Sequence, residues 1–223
     1  MDATFIARME QILHLYSLPI DERYPLVCFD ERPCFLIGDS VTGLEMKAGQ
    51  AARQHYAYEK NGSCALLMAI EPQTGKRLAG VSDRRTKLDY ARFMKELAAA
   101  YPEAEKIRVV QDNLNTHSTS AFYEAFEAEE AFALAQRFEF YYTPKRASWL
   151  NMIEIEFSAL SKQCLNRRIA SKEQLQKEVL AIVKEREEKA IRIDWQFSIE
   201  SARNKLNRHY QQVKAENAQY KRT

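Results

Sequence analysis

The chain has 223 residues, 46% of them hydrophobic and 29% charged, enough to build one sizeable hydrophobic core. Its 33 basic and 31 acidic residues leave a formal net charge of +2, short of the basic excess of a domain that holds DNA by phosphate contacts alone. No apolar run reaches the ~18 residues of a membrane span, and Met1-Asp-Ala-Thr-Phe-Ile-Ala-Arg8 lacks the basic-then-apolar pattern of a signal peptide, so a cytoplasmic protein is expected.

Residues 2–17 read as a helix: Asp2 can cap it, and Phe5, Ile6, Met9, Ile12, Leu13 and Tyr16 recur at helical spacing. Strands are expected over 26–30 and 34–37, separated by a break at Asp30-Glu-Arg-Pro33, and 39–52 shows no period. His55–Glu59 and Cys64–Ile70 flank Lys60-Asn-Gly-Ser63, the pattern of a tight hairpin. Pro72-Gln-Thr-Gly75 turns the chain into a third strand over 77–82. The period then changes: helix 88–101, strand 107–111, helix 118–135, strand 137–142, and helices near 149–166, 172–190 and 198–214. Ser171 and Gln174 have the spacing of a capping box for the second of these last three. Cys28, Cys34, Cys64 and Cys164 form no CxxC pair and read as small hydrophobes in a reducing compartment. The scattered histidines give no zinc-ligand spacing.

A meander followed by alternating helix and strand is an α/β plan: antiparallel strands, then parallel strands joined by right-handed crossovers, flanked by helices. The order matches a ribonuclease H-like mixed sheet, an analogy of architecture that does not fix function. The expected organisation is an N-terminal helix and linker over 1–22, a catalytic core over 23–170 and a C-terminal helical extension over 171–223.

Three acids stand out. Asp30 and Asp112 each end an apolar run, Leu26-Val-Cys-Phe-Asp30 and Ile107-Arg-Val-Val-Gln-Asp112, and Glu154 follows Trp149-Leu-Asn-Met-Ile where a helix begins. Two strand-end aspartates and a helix-borne glutamate suit two divalent ions about 4 Å apart, which stabilise the attacking and leaving oxygens of a phosphodiester. Each acid also has an ordinary reading: Asp is common at turns, and Asn151 with Glu154 fits a capping box. Leu150, Ile153, Phe157, Leu160 and Cys164 form the apolar stripe of this helix, with Glu154 on one side and Glu156 on the other, and periodicity selects neither.

The words around these acids carry more. Val27-Cys-Phe-Asp-Glu31, Val110-Gln-Asp-Asn-Leu-Asn-Thr-His117 and Ser148-Trp-Leu-Asn-Met-Ile-Glu-Ile-Glu-Phe-Ser158 resemble, in order, the three catalytic blocks of mariner-like DDE transposases, closest to the bacterial insertion-sequence branch. Trp195-Gln-Phe-Ser-Ile-Glu-Ser-Ala-Arg-Asn-Lys-Leu206 resembles the family's C-terminal end, so the likeness runs from about residue 20 to 210. It implies that Asp30, Asp112 and Glu154 are the catalytic, metal-binding triad, holding two magnesium or manganese ions. Glu154 is preferred to Glu156 because it follows the Asn-x-Ile element. Glu31, Asn113, His117 and Asn151 stand as supporting positions, and Lys145, Arg146 and Trp149 as candidate DNA contacts. Arg84-Arg85-Thr-Lys87 and Arg167-Arg168 are further basic clusters.

Two positions depart from the family pattern. Met152 stands where many relatives carry Pro, a change the first helical turn tolerates. Only about 25 residues precede the first strand, too few for the helix-turn-helix modules such proteins carry. The resemblance therefore implies a catalytic domain that cleaves transposon ends and joins them to target DNA. It would act as a homodimer on DNA, with an end-recognition segment encoded upstream. The alternatives are an inactive or partner-dependent remnant and a non-transposing nuclease of the same fold.

Overall fold

The computed structural model describes residues 1–40 and 56–214. Helix α1 (Ala3–Ser17) starts where expected, with the Asp2 carboxylate accepting from the Phe5 N–H at 2.8 Å. Five strands follow in one sheet: β1 (Leu26–Asp39), β2 (Tyr58–Ile70), β3 (Arg77–Ser82), β4 (Ile107–Gln111) and β5 (Phe138–Tyr142). Their order is β3-β2-β1-β4-β5; β1–β2 and β2–β3 pair antiparallel, β1–β4 and β4–β5 parallel. This is the mixed ribonuclease H-like sheet the sequence implied, flanked by helices on both faces.

Two local expectations fail in instructive ways. The break at Asp30–Pro33 does not exist, because β1 runs unbroken and Pro33 lies opposite Ala65. A proline survives there because β4 pairs with β1 only over Leu26–Cys28, so the outer edge of β1 asks no N–H of residue 33. The Asn61-Gly62 hairpin does not form either: β2 runs straight through it. The register against β1 slips between Phe35 and Ile37, and Gly62 takes φ +99°. The dipeptide's positive-φ capacity is spent on a β-bulge rather than a turn. His55 and most of the aperiodic 39–52 stretch lie outside the described residues.

The helices are more broken than periodicity suggested. α2 (Lys87–Ala99) carries a full capping box between Thr86 and Asp89. The single helix expected over 118–135 is two, α3 (Ser120–Ala125) and α4 (Ala128–Gln136), parted by extended Phe126. The stretch 149–166 divides into a 3-10 turn (Ser148–Leu150), α5 (Ile153–Leu160) and a π-turn (Ser161–Leu165). Beyond it lie α6 (Lys172–Glu188), α7 (Ile199–Lys205) and α8 (Asn207–Val213). Ser171 caps α6 through the Gln174 N–H, but the Gln174 side chain reaches the Ala170 N–H instead of closing the box.

Alternation along the strands sorts the core into two layers. Leu26, Cys28, Leu66, Met68, Ile70 and Val110 face α1, α5, α6, α7 and α8. Val27, Phe29, Ala65, Leu67, Ala69 and Val109 face α2, α3 and α4. All four cysteines are free thiols; Cys28, Cys64 and Cys164 are buried and Cys34 half-buried. No helix among the described residues is long and apolar enough to cross a membrane.

Candidate active site

Strand pairing explains why two aspartates 82 positions apart meet. Cys28 and Val110 are register partners, and Asp30 and Asp112 each stand two residues further along. Parallel strands lie roughly 4.8 Å apart and a two-residue step keeps the same face, so the pair arrives level where β4 ends and β1 runs on. That end, between β1 and β4, is where connections leave the sheet in opposite directions, the usual crevice of an open α/β sheet. Past this point β4 ends, while β1 continues beside β2 alone.

The divergence opens a cleft of about 380 Å³. Asp30, Glu31, Arg32 and Pro33 line it from β1, and Glu154, Phe157, Ser158 and Ser161 line it from α5 and the π-turn. The apolar stripe Leu150, Ile153, Phe157, Leu160 and Cys164 is buried as expected, and this fixes which way α5 faces. Glu154 is exposed at the cleft, and Glu156 is fully buried. Glu156 accepts from Arg77 Nε and Nη2 at 2.9 and 3.1 Å and from Arg186 Nε and Nη2 at 2.7 and 3.0 Å. Burial favours its protonated form, but the two guanidiniums hold the carboxyl below the usual range. Sequence reasoning missed this lock because its parts lie on β3, α5 and α6.

Asn151 does not form the expected capping box with Glu154. Met152 is the N-cap of α5, and the buried Asn151 amide donates to the Phe29 carbonyl at 2.8 Å. It thereby ties the start of the Glu154 helix to the residue before Asp30. Arg32 makes a second tie, donating to the Ser161 hydroxyl and, at 3.4 Å, to the Phe157 carbonyl.

Asp112 does not line this cleft. Its Oδ1 lies 2.5 Å from His117 Nδ1, and His117 Nε2 lies 3.8 Å from Glu31 Oε2. Neither ring nitrogen makes a hydrogen bond of good direction, so these contacts are charge pairing. The imidazole is buried, stacked on Tyr90 and edge-on to Phe29. Burial alone would lower its pKa; Asp112 and Glu31 override this and push it up to about 9. Gln111 Nε2 and Tyr142 Oη both donate to the His117 carbonyl, and Tyr90 Oη donates to Gln111 Oε1. His117 therefore does not cap the following helix with its ring. Gln111 was legible in principle as a polar residue directly after the apolar Val109-Val110 pair of β4. Asn113 is exposed on the loop beyond Asp112.

Burial is the largest influence on Asp30; the Glu31 N–H and His117 oppose it, while Asp112 and Glu154 add like-charge repulsion, and the carboxyl is pushed up to about 7. Mutual repulsion among three carboxyl groups is what a cation relieves, and their hard oxygens suit magnesium or manganese. Among the described residues no group of three His, Cys, Asp or Glu side chains is drawn close enough to enclose an ion.

Lys145, Arg146 and Trp149 are exposed between β5 and α5 and line a separate cleft with α1. The other basic clusters are partly spent inside the molecule: Arg167 pairs with Glu178, Arg168 with Asp39 and the Ala57 carbonyl, and Lys87 with Glu124.

With this geometry in hand, the sequence model for the DDE superfamily endonuclease matches residues 25–176, the segment that holds all three acids. The chain belongs to the DDE superfamily endonuclease family. Among solved structures, the DDE domain resembles the Mos1 mariner paired-end complex with Mn, at 14% identity and a TM-score of 0.54. It also resembles the Mos1 transposase paired-end complex with left transposon end, at 13% identity and a TM-score of 0.55. Each match covers 99% of this chain and 64% of the Mos1 chain. At such identities the likeness is one of fold. A search of curated protein sequences finds no match.

Proposed function

We propose that this DDE domain is the catalytic part of an insertion-sequence transposase, carrying out divalent-metal-dependent cleavage of DNA strands and transfer of the freed 3′ end. The observation that carries the reading is the placement of Asp30, inside β1, level with Asp112, just past the end of the neighbouring parallel strand β4, with Glu154 across the cleft on a helix tied to β1. Asp30, Asp112 and Glu154 are the residues that would hold the cation. When bound, a divalent ion supplies charge stabilisation at the phosphoryl oxygens and at the attacking and leaving oxygens. The ion count of two rests on that general chemistry.

The chain's own residues do the positioning. Asn151 and Arg32 fix α5 against β1, and the Glu31–His117 pair orients the Asp112 carboxylate. Mos1 chains of this fold were crystallised with Mn, with Mg and on transposon ends, which supports a metal and a DNA substrate here. A homodimer on DNA and an end-recognition segment encoded upstream belong to the same reading. The test is nicking of supercoiled plasmid in magnesium or manganese, followed by transfer of a labelled 3′ end. Asp112→Asn should abolish both products, and wild-type nicking by that variant would refute the site assignment.

A further inference from the structure

A second cleft lies apart from the acidic one. About 690 Å³ of open space lies between the first turns of α1 and the loop entering α5, lined by Phe5, Arg8, Pro144, Lys145, Arg146 and Trp149, with Asp2 and Thr4 at the α1 end. Its chemistry is specific. Trp149 keeps 43% of its surface exposed, and its ring meets that of Phe197 in a T-shaped contact at 5.5 Å, which holds the indole from one side. Arg8, Lys145 and Arg146 surround it, and among the described residues no ion pair engages any of the three. Asp2, the one acid of the lining, already accepts from the Phe5 N–H as the helix cap. Arg146 takes φ +62°, an uncommon conformation for a non-glycine residue that points to a constrained loop.

Cations along a groove combined with an exposed aromatic face are the means by which proteins hold unpaired nucleic acid, because phosphates and the π-face of a base are satisfied together. A duplex offers the phosphates but keeps its bases stacked inside. The position fits the acidic site. Trp149 is two residues from Asn151, at most about 7 Å of chain, and the Asn151 amide is 2.8 Å from the carbonyl next to Asp30.

We propose that this cleft binds an unpaired stretch of DNA, with a base stacked on Trp149 and its phosphates met by Arg8, Lys145 and Arg146. The inference rests on the DNA-processing reading but adds a strand-state preference and a role for α1 that the acidic cleft does not imply. It can be tested without catalysis. The full chain, in chelator and without metal, is titrated with a fluorescein-labelled single-stranded ten-nucleotide DNA, the blunt duplex of the same sequence and its RNA counterpart. Trp149→Ala should weaken single-strand binding roughly tenfold, the loss of one stacked base, and duplex binding less than twofold. Trp149→Phe should restore most of it. Arg8→Gln and Lys145→Gln should each lower the salt dependence by somewhat less than one ion. Equal losses on single strand and duplex, or wild-type binding by Trp149→Ala, would overturn the proposal; tighter RNA binding would overturn the choice of DNA. Failure of the catalytic reading shows separately, as metal-dependent nicking that survives Asp112→Asn.

Discussion

Glu154 and Glu156 sit two residues apart on one short helix, and their substitution should divide function from stability. Glu156 has no exposed surface and meets two guanidiniums through four hydrogen bonds; the Arg77 side chain is also fully buried and that of Arg186 is 11% exposed. Glu156→Gln removes the charge that neutralises both, leaving two buried cations facing a neutral amide. Breaking one side of a buried pair costs about 3–5 kcal/mol, against a total stability of roughly 5–15 kcal/mol for a domain. Arg77 retains the Gly75 and Ile191 carbonyls as partners, which argues for the lower end. With a urea slope of about 2 kcal/mol per molar, the midpoint should fall by roughly 1.5–2.5 M. Glu154→Gln, at an exposed position, should stay within about 0.5 kcal/mol of the parent while losing metal-dependent nicking. If the two variants unfolded at the same urea concentration, the account of α5 as a helix with one buried and one working acid would be wrong.

Other outcomes follow from the same geometry. Because the Glu156 carboxyl is held below its unfolded value, its contribution is complete above the usual carboxylate range and is lost as pH falls through the depressed folded value; urea midpoints between pH 6 and 3 should show that slope in the parent and lack it in Glu156→Gln. Asn151→Ala leaves the Phe29 carbonyl without its 2.8 Å donor, which should cost about 1–3 kcal/mol in a thermal melt. Gly62→Ala meets no neighbour within 4 Å but must keep φ +99°, so a loss of about 1–2 kcal/mol from backbone strain alone is expected by urea unfolding. Magnesium at a hundredfold excess over its dissociation constant should stabilise the parent by about 2.7 kcal/mol, and Asp30→Asn should abolish that shift in a melt.

The parts of the fold written in local periods were legible. Strand Ile107–Gln111 and the start of α1 at Asp2 coincide with the sequence reading, since apolar runs and caps act within a few residues. What failed depended on distant partners. Asn61-Gly62 has hairpin chemistry, yet β1 offered it a partner across the sheet, and the glycine's freedom went into a bulge. Pro33 seemed to end a strand, and only the early end of β4 shows why it need not. At the site, Asp112 was legible as the end of a strand, whereas Asp30, read the same way, lies inside β1; and what separates Glu154 from Glu156 is Arg77, 79 positions upstream. Likewise, no local pattern tells that Glu31 and Asp112 close on one buried imidazole.

The outer edge of β1 beyond Cys28 has a consequence for solubility. Over Asp30–Pro33 the strand is unpaired by β4 and borders open space, the kind of edge onto which a second chain can add a strand. Here that edge carries a carboxylate pair, an arginine and a proline, and the proline has no N–H to donate. The residues that line the cleft thus also guard that edge against self-association. Replacing Pro33 with a β-branched residue would make the cleft a templating edge, and the first sign would be aggregation on storage rather than lost chemistry.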